Sequence, residues 1–140
     1  MRNKSKASEY AKKRWKIGTK SGEGRNPFCS IVASAKSNSS VYRRGVSFEV
    51  DNEDIERLYN QQKGLCAISG IPMLLGRNSN YSISIDRIDN NIGYVLTNIR
   101  LVCKCVNLMR NVLSDSEFLK ICKSIVDYNS IGDSLPDISD

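Results

Sequence analysis

Apolar and polar residues alternate clearly over residues 81–87 (YSISIDR). This period of two predicts a half-buried strand with Asp86 on its polar face, at the strand end. The next residues, DNNIG, are turn formers, and IRLVC (99–103) predicts a second strand. From Lys104 the pattern becomes helical and continues to Val112. The inward positions of this helix are Val106, Met109 and Leu113.

Two upstream helices are also predicted. Asn26-Pro27 is a helix-start signal, because Asn caps helices and Pro suits the first helical position, and this helix is expected to reach about Ser37. Asp51 or Asn52 caps the second helix, which runs through Gln62 and is closed by Gly64. Its buried stripe comprises Ile55, Leu58 and Tyr59. Residues 46–50 (VSFEV) alternate as a short strand, and residues 65–73 form a knuckle-like turn.

A capping box of Ser114 and Glu117 predicts a final helix. Its apolar positions are Phe118, Leu119, Ile121, Cys122, Ile125 and Val126. We expect an acidic, disordered tail over residues 129–140. The elements together predict an α+β domain over residues 26–128.

The charge of the chain is unevenly distributed. Lys and Arg number 21 against 15 acidic residues, which gives a net charge of +6. The excess lies in a basic arm, residues 1–25, that includes Lys12, Lys13 and Arg14. Such an arm favours a polyanion, and double-stranded DNA is the expected partner. A frayed arm without contacts is the open alternative.

Composition excludes several kinds of chemistry. The chain has no histidine, so the commonest general base and zinc ligand are absent. Five irregularly spaced cysteines do not read as a disulfide framework, which favours an intracellular, cytoplasmic protein. No apolar run is long enough to cross a membrane, so no membrane partner is expected.

The hairpin and its helix contain the candidate chemistry. If the helix folds back on the hairpin, Asn107 faces Asp86, and their hard oxygen ligands suit one Mg²⁺ or Mn²⁺ ion. Two protein ligands leave room for a phosphate oxygen. Arg87, Arg100 and Arg110 are near enough in sequence to bind that phosphate.

At these residues the chain resembles the HNH (ββα-metal) endonuclease family. The resemblance rests on IDRID, the GY pair, the N-x-R-L-V-C segment and the later N-x-M-R, and on the upstream QQKGLCAISGIP, which resembles a knuckle strand. It covers about residues 42–122. It implies a ββα-metal fold with flanking helices, in which Asp86 and Asn107 bind the metal and Asn98 orders the loop. It also leaves open a phage or virus as the source.

The chain departs from the family pattern at two points. Arg87 stands where the general-base histidine is expected, as in some HNH-like enzymes. Tyr94 is then the candidate activator of water, with a packing role in the loop as the alternative. Similarly, Arg87 either binds phosphate or braces the loop. Family members often have CxxC pairs at both knuckles, whereas Cys66 and Cys103 are each half of such a pair, so no structural zinc is predicted.

The sequence thus predicts a metal-dependent DNA endonuclease with Asp86 and Asn107 as metal ligands. Its competitor is a module that only binds DNA, derived from an HNH nuclease that lost its base. RNA as the substrate and a homodimer as the working form also stay open.

Overall fold

The computed structural model of the protein describes residues 26–42, 46–76 and 79–132. The basic arm, with Lys12, Lys13 and Arg14, lies outside the described residues. The elements are α1 (Cys29–Tyr42), α2 (Asn52–Gln61), β1 (Ile83–Arg87), a 3₁₀ turn (Leu96–Asn98), β2 (Ile99–Cys103), α3 (Lys104–Arg110) and α4 (Asp115–Gly132). The described chain is therefore α+β, and none of its helices is long and apolar enough to cross a membrane. It divides into two compact units, one up to Met109 and one from Arg110 onward.

The predicted hairpin is confirmed. β1 and β2 form a two-stranded antiparallel sheet in which Ile85 lies opposite Leu101 and Asp86 opposite Arg100. Ile83 and Ile85 are buried, as the alternation requires, and Leu101 is fully buried. The strand begins at Ile83, two residues later than expected. Tyr81 lies outside the ladder and is about half exposed.

Both upstream helices form where their capping signals predict. The side-chain oxygen of Asn26 accepts a hydrogen bond from the Phe28 amide at 2.8 Å, ahead of α1. The helix extends past Ser37 to Tyr42, and the Ser39 hydroxyl donates to the Lys36 carbonyl at 2.8 Å. Serines that favour turns in isolation thus remain in the helix once their hydroxyls bond to its own backbone.

In α2, Asp51 and Asp54 form a capping box, and Ile55 and Tyr59 are buried. Leu58, predicted as part of the buried stripe, is only half-buried. The chain leaves the helix through Gly64 in the left-handed conformation (φ +70°), which glycine adopts without strain.

The predicted strand at residues 46–50 is wrong. Only Phe48 pairs, as an isolated bridge to Tyr94. The Glu49 amide donates to the Tyr94 carbonyl at 2.9 Å, and the Tyr94 amide donates to the Ser47 carbonyl at 2.8 Å. Residues 47–49 thus bond to one loop residue, Tyr94, and not to a strand. The alternation of their side chains therefore does not lead to a ladder.

The knuckle-like turn is confirmed and is attached to the sheet. The Cys66 amide donates to the Ile71 carbonyl at 2.8 Å, with Gly70 at φ +70° inside the turn. The Ala67 amide donates to the carbonyl of Leu101 at 3.0 Å. The Gln62 side chain donates to the same carbonyl and accepts from the Leu101 amide, each at 2.9 Å. The outer edge of β2 is therefore paired by a side chain and a turn.

Helix α3 is shorter than predicted and turns a different residue inward. It ends at Arg110, because Asn111 adopts φ +48°. Val106 is buried, but Met109 is 59% exposed while Arg110 is only 2% exposed. Residues four apart share a helix face, so Arg110 follows Val106, and its charge is paired with Asp115 at 2.8 Å.

The second unit has the predicted capping box. The Ser114 amide donates to the Glu117 carboxylate at 3.0 Å, and the Glu117 amide donates to the Ser114 hydroxyl at 3.3 Å. The Ser114 hydroxyl also donates to the Glu117 carboxylate at 2.6 Å, and this bond together with that from the Ser114 amide lowers the pKa of Glu117. The helix continues to Gly132, so the prediction of a disordered tail from residue 129 is wrong for its first four residues. Of the predicted apolar positions only Phe118 is buried; Leu119, Ile121, Ile125 and Val126 are exposed.

The loop between the strands requires glycine at position 93. A Cβ added there would lie 2.5 Å from the Ser47 carbonyl oxygen. We expect Gly93→Ala to lower the free energy of unfolding by about 1–3 kcal/mol, since the backbone of the 47–49 segment would have to move. Urea denaturation measures this. Asn91→Ala, at an exposed position of the same loop, is the control and should change stability by less than about 0.5 kcal/mol. Equal stability of the two variants would contradict the close packing.

Candidate functional site

Asp86 lies near the end of β1 and is only 3% exposed. Its carboxylate Oδ2 accepts from Nε of Arg100, directly across the ladder, at 2.8 Å. Opposite charges at facing positions of two strands stabilise the pairing of those strands. Here the carboxylate of Asp86 is also buried. Arg100, which was predicted to bind phosphate, is thus paired with Asp86, which was predicted to bind the metal.

Asn107 on α3 reaches back to β1. Its side-chain Nδ2 donates to the Ser84 hydroxyl at 2.7 Å and to the Ile85 carbonyl at 3.4 Å. Because a carbonyl can only accept, the second contact identifies the nitrogen end of the amide. Within the described part of the chain, the amide oxygen accepts no hydrogen bond. The helix therefore does fold back on the hairpin, and the Asn107 oxygen remains available as a hard ligand beside the strand that contains Asp86.

Asn98 is buried and ties the loop between the strands. Its oxygen accepts from the Asp89 amide at 2.9 Å. Its nitrogen donates to the Asp89 carbonyl at 3.0 Å and to the Gly93 carbonyl at 3.1 Å. One amide side chain thus pairs three backbone groups, as expected of a loop-ordering residue. All three of these groups belong to the loop between the strands.

Arg87 braces the same loop from the opposite side. It is buried, and its guanidinium donates to the carbonyls of Asn90 and Ile92 at 3.0 and 3.1 Å. The guanidinium carbon lies 5.1 Å from the centre of the Tyr94 ring, within the range of a cation–π interaction. Of the two predicted roles for Arg87, these contacts favour loop bracing.

Tyr94 packs between Arg87 and Phe48, whose ring centre is 5.0 Å away. It is half-buried and lines the same groove as Asn107. Both of its predicted roles therefore have support: its ring packs in the loop, and the residue borders the groove that Asn107 also lines.

Arg110 is the first residue of the second unit. It is 2% exposed and paired with Asp115 in the second unit. Binding a phosphate would require that pair to open and the guanidinium to reach solvent. The phosphate role predicted for Arg110 therefore gains no support from its contacts.

A groove of about 640 Å³ contains the exposed part of the site. Residues of β1, the loop and α3 line one side of it: Ser82, Ile83, Ser84, Ile85, Tyr94, Lys104 and Asn107. Residues of α1 line the other side: Ser30, Ile31, Ser34, Ala35 and Asn38. Asp86 is not among the lining residues, but directly follows Ile85. The α1 wall was not predicted as functional, although polar residues at positions 30, 34 and 38 share one helix face.

Two cysteines meet where the knuckle contacts β2. Burial and, after it, the neighbouring Cys66 together raise the pKa of the Cys103 thiol to about 12. Burial also raises the pKa of Cys66, but hydrogen bonds from Ser69 outweigh it and leave the value lowered; the Ser69 amide is 3.4 Å from the Cys66 sulfur. All five cysteines are free thiols. No group of three or more Cys, Asp or Glu side chains that could bind a metal occurs in the described ranges.

Comparison with known proteins identifies one distant relative. The chain is 28% identical over 127 residues to an uncharacterized protein of Acanthamoeba polyphaga mimivirus. The match covers 89% of this chain and 22% of the viral protein, so the chain spans about a fifth of the length of this relative. No protein-family model matches the chain. No solved structure matches it either.

Replacement of Asn98 tests how far one side chain orders the loop. Asn98→Ala removes the partner of the Asp89 amide and of the Asp89 and Gly93 carbonyls, so we expect a loss of about 2–4 kcal/mol in the free energy of unfolding. Urea denaturation gives the value, and amide hydrogen exchange should show faster exchange at Asp89. Thr97→Ala, at the exposed neighbouring position, is the matched control. Unchanged stability and exchange in Asn98→Ala would refute the role of Asn98.

Proposed function

We propose that this chain is a divalent-metal-dependent DNA endonuclease with a single-metal site of the HNH (ββα-metal) type. One observation carries the proposal. The amide nitrogen of Asn107 is held by Ser84 and Ile85, so its oxygen remains as an acceptor beside the strand of Asp86.

The donor set fits Mg²⁺ or Mn²⁺. Asp86 would supply a carboxylate oxygen and Asn107 an amide oxygen, and hard cations of this class prefer both. When bound, the cation supplies charge neutralisation at the scissile phosphate and at the leaving oxygen. A second copy of the chain is not required for this ligand set.

The remaining residues have supporting roles in the proposal. Arg100 holds the buried Asp86 in place and, with a side chain that is 15% exposed, is the most exposed of the three arginines predicted to bind phosphate. Asn98 and Arg87 fix the loop that carries Tyr94. In the proposal, Tyr94 acts as its phenolate and accepts the proton from the attacking water, which gives it the role of the absent histidine.

A DNA-binding module without catalysis is the second candidate. The ion pair between Asp86 and Arg100 favours it, because a cation must compete with the guanidinium for the carboxylate. In either case double-stranded DNA is the proposed partner, contacted additionally by Lys12, Lys13 and Arg14 of the basic arm. The mimivirus relative supports a viral source.

Plasmid nicking with Mg²⁺ or Mn²⁺ tests the proposal. We expect Asp86→Asn to lose cleavage by at least about a hundredfold, because it removes the charge of the ligand. The variant keeps the side-chain volume and an oxygen for Arg100, so the fold should survive. Asp86→Ala should also lose cleavage, and both should retain DNA binding in the presence of EDTA. Equal cleavage by wild type and Asp86→Asn would refute the site, whereas DNA binding without cleavage by the wild type under any metal would establish the binding module.

Tyr94→Phe tests the activator. The ring contacts with Phe48 and Arg87 are retained, so stability should change little. Loss of a general base typically costs about 10²–10⁴-fold, and we expect a decrease in the cleavage rate of about a hundredfold. Single-turnover rates measured across pH give the answer. A wild-type rate in Tyr94→Phe would limit Tyr94 to packing the loop.

A further inference from the structure

The groove beside Asn107 has one wall that the nuclease site itself does not explain. Helix α1 turns Ser30, Ser34 and Asn38 towards it, at intervals of four residues on one helix face. The side chains of Ser34 and Asn38 are exposed and form no hydrogen bond within the described ranges. Short polar side chains in such a row leave space and offer donors and acceptors to whatever enters the groove.

The charge of the groove suits an anion. None of the described side chains that line it is acidic, and Lys104 stands at its rim, exposed. Hydroxyl and amide groups fill most of the remaining polar positions. Phosphate and sugar oxygens are commonly bound by Lys, Ser and Asn side chains of this kind. Tyr94 also borders the groove, with its ring packed against Phe48 and Arg87.

The size of the groove restricts which nucleic acid can enter. A volume of about 640 Å³ lies in the range of pockets for single small ligands, roughly 300–1,000 Å³. It holds a segment of one strand, but it is too small for a paired double helix, whose major groove alone is about 12 Å wide.

We infer that the groove between α1 and β1 binds one DNA strand that has left the duplex, next to the phosphate to be cut. The inference rests on the proposed nuclease function and specifies its substrate as DNA that is locally unpaired at the cleavage site. Fully paired DNA must then be opened before it enters the groove, which costs base stacking and pairing.

Two matched duplexes test this inference, one fully paired and one with a short unpaired bubble of the same sequence. In EDTA, fluorescence anisotropy should show about tenfold or tighter binding of the bubble, because no unpairing is needed. With Mn²⁺, cleavage should fall within or next to the bubble and be faster by a similar factor.

Ser34→Leu should remove the preference, because leucine fills the groove without adding an aromatic face for stacking. Ala33→Leu makes a similar change at an exposed position of α1 that does not line the groove. It should behave like the wild type, and thermal denaturation of both variants checks the fold.

The possible outcomes separate the two proposals. Equal binding and cutting of paired and bubble DNA, or equal behaviour of Ser34→Leu and Ala33→Leu, would overturn the strand groove and leave the nuclease intact. Tighter binding of the bubble, weakened only by Ser34→Leu and without cleavage of either DNA, would establish the groove while the nuclease proposal fails.

Discussion

A two-stranded sheet is marginally stable in water, and the structure depends on how its neighbours pair and cover it. Gln62 and Ala67 pair the Leu101 backbone on the outer edge of β2. On β1, the Asn107 side chain bonds to the carbonyl of Ile85. Helices and a turn distant in sequence thus complete the hairpin, and they also position the candidate site.

The arginines predicted for the site are largely engaged in contacts that stabilise the fold. Arg87 holds two loop carbonyls, Arg100 holds Asp86, and Arg110 holds Asp115. A buried guanidinium needs such partners, because an unpaired charge away from water is costly. The proposed nuclease would therefore need one of these pairs to open, or other cations, in order to bind a phosphate.

The site and the groove impose different demands on the proposed reaction. Asp86 is buried behind its ion pair, whereas Asn107 and Tyr94 border the groove. A substrate phosphate at the boundary would have to satisfy Arg100 and so make the carboxylate available. In the proposed reaction, one ion pair would connect metal binding with substrate binding, and the wall of α1 would take part in substrate selection.

The sequence alone determined the elements whose signals are local. The alternation in ISIDR, the caps at Asn26, Asp51 and Ser114, and the turn formers after Asp89 each act within a few residues, so the hairpin and the starts of three helices were predictable. The loop-ordering role of Asn98 followed from the resemblance of its segment to a known motif.

Tertiary contacts decided the rest. The strand predicted at residues 46–50 lacks a partner strand. Arg110 rather than Met109 is buried, with Asp115 as its counter-charge. Helix α4 extends beyond its predicted end. The pairing of Asp86 with Arg100 depends on the register of two strands, and the groove depends on α1 lying beside β1. Local patterns specify which segments can form helices and strands, whereas burial, register and charge pairing depend on residues that only the folded chain brings together.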